Sequence, residues 1–376
     1  MKKYLYFAAA IAVCLPFLSS CSNDDNSLDP NDTSITSGAT VSSTDSIKGF
    51  YLLCEGGYQS NNATIDYFNY STGIYSANKF GRANDNAKLG DTGNDIQEYG
   101  SKLYIVMNGS NMLRIIDAET CKTIKDISIP NCRFVTFNGG KAYVTSYSSL
   151  STSSTGYSYV ARIDTASLVQ DATCEVGYQP EQMVTYNGKL YVANSGGYKS
   201  TGTYDNRVSV IDLSTFTKVK DITVGINLTR MVISKENEIF ISSQTDYPAT
   251  TASNLFILDP NTEVVTTLNV NASDMSLHGD SLYVYGVDTS YAPNYHIINT
   301  KNHTVVSDKI ITDGTSITAP YMIKVNPSNN DIFIGDASTY SVPGTLYCFN
   351  SKGVKKWSIT ASGICPGHMV FTKFKL

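Results

Sequence analysis

The 376 residues carry 28 basic and 33 acidic side chains, a formal net charge of −5. Loss of residues 1–20, which hold two lysines and no acid, leaves 26 basic against 33 acidic groups, or −7. That balance excludes nucleic acid as a partner, since neutralising phosphates takes a surplus of Lys and Arg.

At the N-terminus, Lys2 and Lys3 form a basic leader and residues 4–17 a short apolar run. The run is too short to span a bilayer as a helix, so residues 1–20 read as a cleaved signal peptide. Leu18-Ser19-Ser20-Cys21 looks like a bacterial lipobox, which makes Cys21 the lipidated first residue of the mature chain. No later segment has the length and apolarity of a span, so attachment to the outer membrane would come from lipid alone. Residues 22–47 are mostly Ser, Thr, Asp and Asn with few apolar residues and one proline, Pro30, a composition that cannot bury a core. The expectation is a disordered tether over residues 21–47, reaching about 25–30 Å as a flexible coil. Asp24-Asp25 resembles the signals that send some lipoproteins to the cell surface.

Residues 48–376 read as one domain built from repeats. A short strand ending in Asp or Asn recurs, from Ile65-Asp66-Tyr67-Phe68-Asn69 to Leu346-Tyr347-Cys348-Phe349-Asn350. The terminal positions are 69, 117, 164, 212, 259, 299 and 350, a spacing of 40 to 51 residues. Seven copies at that period predict an all-β, seven-bladed β-propeller of four-stranded antiparallel blades. Each unit opens with a strand such as Gln182-Met183-Val184-Thr185-Tyr186 and turns at a dipeptide such as Asn187-Gly188, a tight-hairpin signal. A second apolar strand follows, then a variable loop, the Asp-terminated third strand and a fourth strand. The first blade begins at Gly49-Phe50, which matches a second strand, and Gly367-His368-Met369-Val370-Phe371 matches a first strand with no blade after it. The C-terminal strand is therefore expected to join blade one and close the ring, hiding the edge an open ring would expose.

The strand order puts the short hairpins on one face and the long second-to-third loops on the other. Those loops cover residues 56–62, 146–158, 195–206, 244–254, 287–294 and 336–344, and they carry Tyr58, Tyr147, Tyr157, Tyr198, Tyr204, Tyr247, Tyr291 and Tyr340. Variable loops on a rigid scaffold are where binding resides, and tyrosine offers a broad apolar face with a polar tip. One position ahead of each first-strand core stand Asp95, Arg133, Gln182, Arg230, Asp274, Tyr321 and His368. In register these seven ring the mouth of the central channel, either to contact a ligand or to neutralise one another around trapped water. The long lead-in at residues 81–94, with Asn84, Asp85, Asn86, Lys88 and Asp91, is placed on the same face as a possible lid. Asp91, Asn94 and Asp95 form the one oxygen cluster suggestive of calcium, with too few ligands for a proper site, so no metal is expected.

Catalytic signatures are missing: there is no Gly-x-Ser-x-Gly, no His-Glu-x-x-His and no phosphate-cradling glycine loop. Of four histidines only His368 faces the expected site, and one histidine makes neither a triad nor a metal cage. Asp95 and Asp274 could in principle act as a glycosidase pair, which needs a specific separation. A binding module is the better reading than an enzyme. The six cysteines beyond Cys21 (54, 121, 132, 174, 348 and 365) allow 15 disulfide pairings, and Cys348 reads as a small buried hydrophobe inside an apolar strand.

Val208-Ser209-Val210-Ile211-Asp212, followed by Val219-Lys220-Asp221-Ile222-Thr223-Val224-Gly225, resembles the YncE-like, surface-layer-type propeller repeats. Asn78-Lys79-Phe80, Leu89-Gly90-Asp91 and Asp95-Ile96 are similar to the opening of a lipoprotein subfamily of these propellers, the BtuG-like vitamin B12-capture proteins. The resemblance covers the leader, the tether and all seven blades. It implies capture of cobalamin on the loop-rich face, as a transported ligand rather than a cofactor, and hand-over to a BtuB-type TonB-dependent outer-membrane transporter. On the residues alone, a surface propeller that binds a glycan or a protein partner remains an alternative, and a polysaccharide-cleaving enzyme a more distant one.

Overall fold

The computed structural model describes residues 29–35, 47–147, 158–197, 204–246 and 250–373. Seven antiparallel sheets are arranged as the blades of a β-propeller. Blade two shows the plan: Gly93–Tyr99 is innermost, followed outward by Lys102–Met107, Met112–Asp117 and Thr123–Ser128. The second strands are buried along almost their whole length, as in Gly49–Cys54, because both faces of each blade press on neighbouring blades. That is why they read as continuous apolar runs rather than alternating ones. The fourth strands lie at the rim and are largely exposed, as in Thr123–Ser128.

The Asp or Asn that ends each third strand has one job in all seven blades. Its side-chain oxygen accepts the backbone N–H two or three residues on and so ties the turn into the fourth strand. The distances are 2.9 Å for Asn69 from Ser71, 2.7 Å for Asp117 from Thr120 and 2.8 Å for Asp164 from Ser167. Asp212, Asp259, Asn299 and Asn350 repeat it at 2.8–2.9 Å. The first hairpins follow their dipeptides: Asn187 and Gly188 hold φ of 47° and 73°, the left-handed pair that a two-residue hairpin turn requires.

The ring closes as expected. Pro366–Thr372 pairs with Gly49–Cys54 and supplies the innermost strand of blade one. Every innermost strand touches those of both neighbouring blades all the way round. The seam between blades seven and one is aromatic: Phe50, Phe68, Tyr70, Phe333 and Trp357 pack in one buried cluster. Phe50 lies 5.1 Å from Phe333 across it, centroid to centroid.

Two features depart from expectation. Asp32–Ser34, inside the segment expected to be a disordered tether, is a strand that pairs with Ile74–Ser76 and gives blade one a fifth, outermost strand. Arg82 clamps it, reaching Asp29 at 3.2 Å and Asp32 at 2.8 Å. Arg82 itself stands on a short helix, Lys79–Ala83, where no helix was expected. Signal-peptide residues 1–20 and Cys21 lie outside the described residues. The six cysteines from Cys54 to Cys365 are all buried free thiols, Cys348 included.

Candidate functional site

On the loop-rich face, the second-to-third loops and the lead-ins to the inner strands enclose a funnel of about 1000 Å³. Tyr58, Tyr291 and Tyr340 stand on its rim at 59%, 54% and 55% exposure, so their ring faces are free to contact a ligand. Tyr321 lies deeper, edge-on to Tyr340 at 5.8 Å. Tyr147 belongs to the wall and is fully buried. Tyr157, Tyr198 and Tyr247 fall outside the described residues.

The seven ring positions divide between two spaces. Arg133, Arg230, Tyr321 and His368 line the funnel. Asp95, Gln182 and Asp274 instead point into a narrower channel of about 450 Å³ below it, and only Arg230 and His368 of the seven border both. The expectation of seven ligand contacts at one mouth is corrected here, and the reason is backbone chemistry. An innermost strand has no partner on its inner edge, so its amides need acceptors from elsewhere. Asp95 takes the N–H of Val135 at 3.0 Å, Gln182 that of Met231 at 2.8 Å and Asp274 that of Ile323 at 3.0 Å. Each residue thereby staples its own blade to the next one round.

The glycosidase pair and the lid are also corrected. Asp95 and Asp274 both serve the channel wall and its backbone, below the funnel. The lead-in at residues 81–94 packs against blades one and two, with Leu89 buried in the core they share. There Asn84 binds the backbone of Cys121 and Thr123, and Arg114 binds the carbonyls of Lys88 and Leu89. From that lead-in only Thr92 and Asn94 reach the funnel. The suggested calcium ligands diverge: Asp91 accepts from Gln59 N, Asn94 bonds Arg133, and Asp95 serves Val135.

Two carboxylates that sequence reasoning missed organise the funnel. Glu55, at the end of the buried second strand of blade one, accepts from Tyr321 Oη at 2.9 Å and lies 3.0 Å from His368 Nε2. Burial works to raise its pKa, but hydrogen bonding and charge from His368, with help from Tyr321 and Arg133, outweigh it and hold Glu55 below the usual carboxylate range. Tyr321 is pushed the other way, by burial and then by Glu55, so it remains a phenol and a donor. Glu181, directly before Gln182, accepts from Arg133 Nε at 3.1 Å and Nη2 at 3.3 Å, and from the Tyr147 hydroxyl. Arg133 completes its set at Asn94 Oδ1. The signal available was a glutamate flanking an otherwise apolar inner or second strand. Glu181 stands one position ahead of the ring residue Gln182 in the same inner strand.

Below the floor, Lys324 faces the channel, and burial lowers its pKa against the opposing pull of Asp274 and Asp95. Phe134 sits at the junction of funnel and channel, with the Arg230 guanidinium 4.8 Å above its ring.

No curated protein sequence matches this chain. Among solved structures, it is similar to a quinoprotein alcohol dehydrogenase-like protein from Bacteroides thetaiotaomicron, with 15% identity, 88% of this chain and 79% of that one covered, and a TM-score of 0.59. Hydrazine synthase of Kuenenia stuttgartiensis gives 12% identity over 76% of this chain and 89% of its own, at a TM-score of 0.59. A functionally unknown protein from Desulfotomaculum acetoxidans gives 12% identity over 86% and 98%, at 0.57. At such identities the likeness is one of fold. Residues 48–372, the whole ring from the first blade to the closing strand, match the family described as a domain of unknown function (DUF5074), and the chain belongs to that family.

Proposed function

We propose that the protein captures cobalamin in the funnel as a lipid-anchored outer-membrane protein of the cell surface and passes it to a BtuB-type TonB-dependent transporter. The observation that carries this reading is the funnel: about 1000 Å³, rimmed by exposed tyrosines and walled by neutral amides from Asn94, Asn108, Asn227 and Gln244. A corrin is a broad ring edged with amides, so it calls for aromatic faces and many uncharged donors and acceptors. The funnel's charged groups are largely tied to one another, as Glu55 is to His368 and Glu181 to Arg133, which suits a ligand that is mostly neutral. Support also comes from the resemblance of the repeats and leader to the BtuG-like lipoproteins. A glycan is the second reading, favoured by the same exposed Tyr58, Tyr291 and Tyr340. A polysaccharide-cleaving activity has less support, because Asp95 and Asp274 are committed to backbone amides of the channel wall.

Isothermal titration of residues 21–376 with cyanocobalamin tests the reading. One-to-one binding is expected, and Tyr58→Ala, Tyr291→Ala or Tyr340→Ala should each weaken it roughly threefold to tenfold, the value of one exposed aromatic contact. No heat and an unchanged corrinoid spectrum would remove cobalamin and make a glycan array the next step.

A further inference from the structure

Around the funnel, carboxylate acceptors and their donors are matched almost throughout. Glu55 is engaged by His368 and Tyr321, and Glu181 by Arg133 and Tyr147. The match fails at one corner of the floor, between blades five and six. The Arg230 guanidinium makes no hydrogen bond among the described residues: its Nε lies 3.2 Å from Asp274 Oδ1 but off the line of a hydrogen bond. Beside Asp274 in the chain, the Ser273 hydroxyl is buried against the funnel and also unpartnered. The Tyr285 phenol, on the neighbouring strand, lines the same space. Burial, and then the charge of Asp274, keep that phenol protonated.

Asp274 Oδ1 is the one carboxylate oxygen within ion-pair distance of Arg230 Nε, and the other nearby acceptors serve the backbone. Asp274 Oδ2 holds the N–H of Ile323, and Asp95 holds that of Val135. Phe134 stacks against one face of the guanidinium, 4.8 Å from ring centroid to its central carbon. The corner therefore presents a buried Arg230 Nε–H and a buried Ser273 hydroxyl with no hydrogen-bond partner among the described residues, beside the Tyr285 phenol, and buried donors left that way are costly. The group that completes them is rich in acceptor oxygens and negatively charged, because guanidinium forks match oxyanions in geometry as well as charge.

We propose that this corner is a subsite for an oxyanion, a phosphodiester or a carboxylate, held by Arg230, Ser273 and Tyr285. The identity of the whole ligand rests on the capture reading, whereas the subsite rests on the donors alone. Cobalamin carries a single phosphodiester, between its nucleotide and the corrin side chain, and cobinamide lacks it.

Two measurements separate the claims. Titrations of residues 21–376 with cyanocobalamin and with dicyanocobinamide would be run on the unmodified protein, on Arg230→Lys, and on Ser273→Ala combined with Tyr285→Phe, which removes the hydroxyls without altering charge. Both variants should lose about tenfold to a hundredfold in affinity for cyanocobalamin, the range of a lost charge-assisted hydrogen bond, and stay within about twofold for cobinamide. Equal losses for the two corrinoids would overturn the subsite. In parallel, the ¹⁵Nε–H resonance of Arg230, assigned by its absence in Arg230→Lys, would be followed by NMR during addition of diethyl phosphate or sodium acetate. A shift with diethyl phosphate alone marks a phosphodiester site, and a shift with both marks a general oxyanion site. No shift with either overturns the proposal whatever the corrinoids do. Failure of both corrinoids to bind, with the Arg230 shift intact, sinks the cobalamin reading and leaves the oxyanion subsite in place.

Discussion

Asp117, Asp164, Asp212 and Asp259 are the titratable members of the turn that ends each third strand, and their environment makes acid a selective stress. Hydrogen bonds donated by the turn hold the carboxyls of Asp164, Asp212 and Asp259 below the ordinary range, and at Asp117 they outweigh an opposing effect of burial. A folded-state pKa below the unfolded value of about 3.9 contributes stability above that pH, which is lost as pH falls through it toward the folded pKa. Blades one, six and seven use Asn69, Asn299 and Asn350 at the same place, and those do not titrate. Calorimetry from pH 7 to 2.5 should therefore show the melting temperature dropping mainly below about pH 4. Replacing the four aspartates by asparagine should flatten that drop. An unchanged acid slope would place its source elsewhere. At this scale the sequence was highly legible, because a turn acceptor must occupy one fixed position in every blade. Direction was not legible. Asp95 and Arg133 hold equivalent positions, yet one descends to a backbone amide and the other rises to Glu181, a choice made by partners on other blades.

Strands carried their own evidence in proportion to how deeply they are buried. Second strands such as Lys102–Met107 are apolar because both faces are covered, and the closing strand Pro366–Thr372 was readable because it repeats the inner-strand pattern without a blade to follow. Asp32–Ser34 and the helix Lys79–Ala83 were not readable: one is polar and exposed on an outer edge, the other a single turn held by an Asn78 cap and tertiary contacts. The closing strand is the link that joins the two ends of the ring. Phe50 is fully buried in the seam that this strand completes, and Phe50→Ala should cost about 3–5 kcal/mol in chemical denaturation. Removing residues 366–376 should do more, because it bares the inner edge of Gly49–Cys54. Size-exclusion chromatography is expected to show self-association, and retention of a compact monomer would mean the remaining inner strands hold the ring alone.

As a whole molecule, the propeller separates its tasks by depth. The rim offers aromatic faces, the funnel wall fixes charges in pairs, and the channel below is occupied by side chains that bind one blade to the next. A ligand in the funnel thus meets a surface whose shape is set by contacts it does not have to rearrange, which lowers the ordering cost of binding. Substitutions in the channel set, such as Gln182→Ala, should lower stability while leaving the rim tyrosines in place. Titration and thermal melts on the same variant would separate the two effects.

Under the proposed lipid anchoring, the fifth strand of blade one would set how far the propeller can stand from the membrane. On the reading that Cys21 carries lipid, pairing of Asp32–Ser34 with the blade leaves eight chain steps from Cys21 to Asp29 in place of the 26 to Ile47. The fully extended reach falls from about 90 Å to about 28 Å. By the −3/2 power dependence on linker length, the effective concentration of the propeller at the membrane rises roughly sixfold. Thr33→Pro, which cannot donate to the ladder, combined with Arg82→Ala, which releases the clamp, should return the long leash. In a liposome assay with a lipidated protein, distance by fluorescence transfer between blade one and the bilayer should then increase. On that reading, the edge of this propeller is a cleat on which its own mooring line would be made fast.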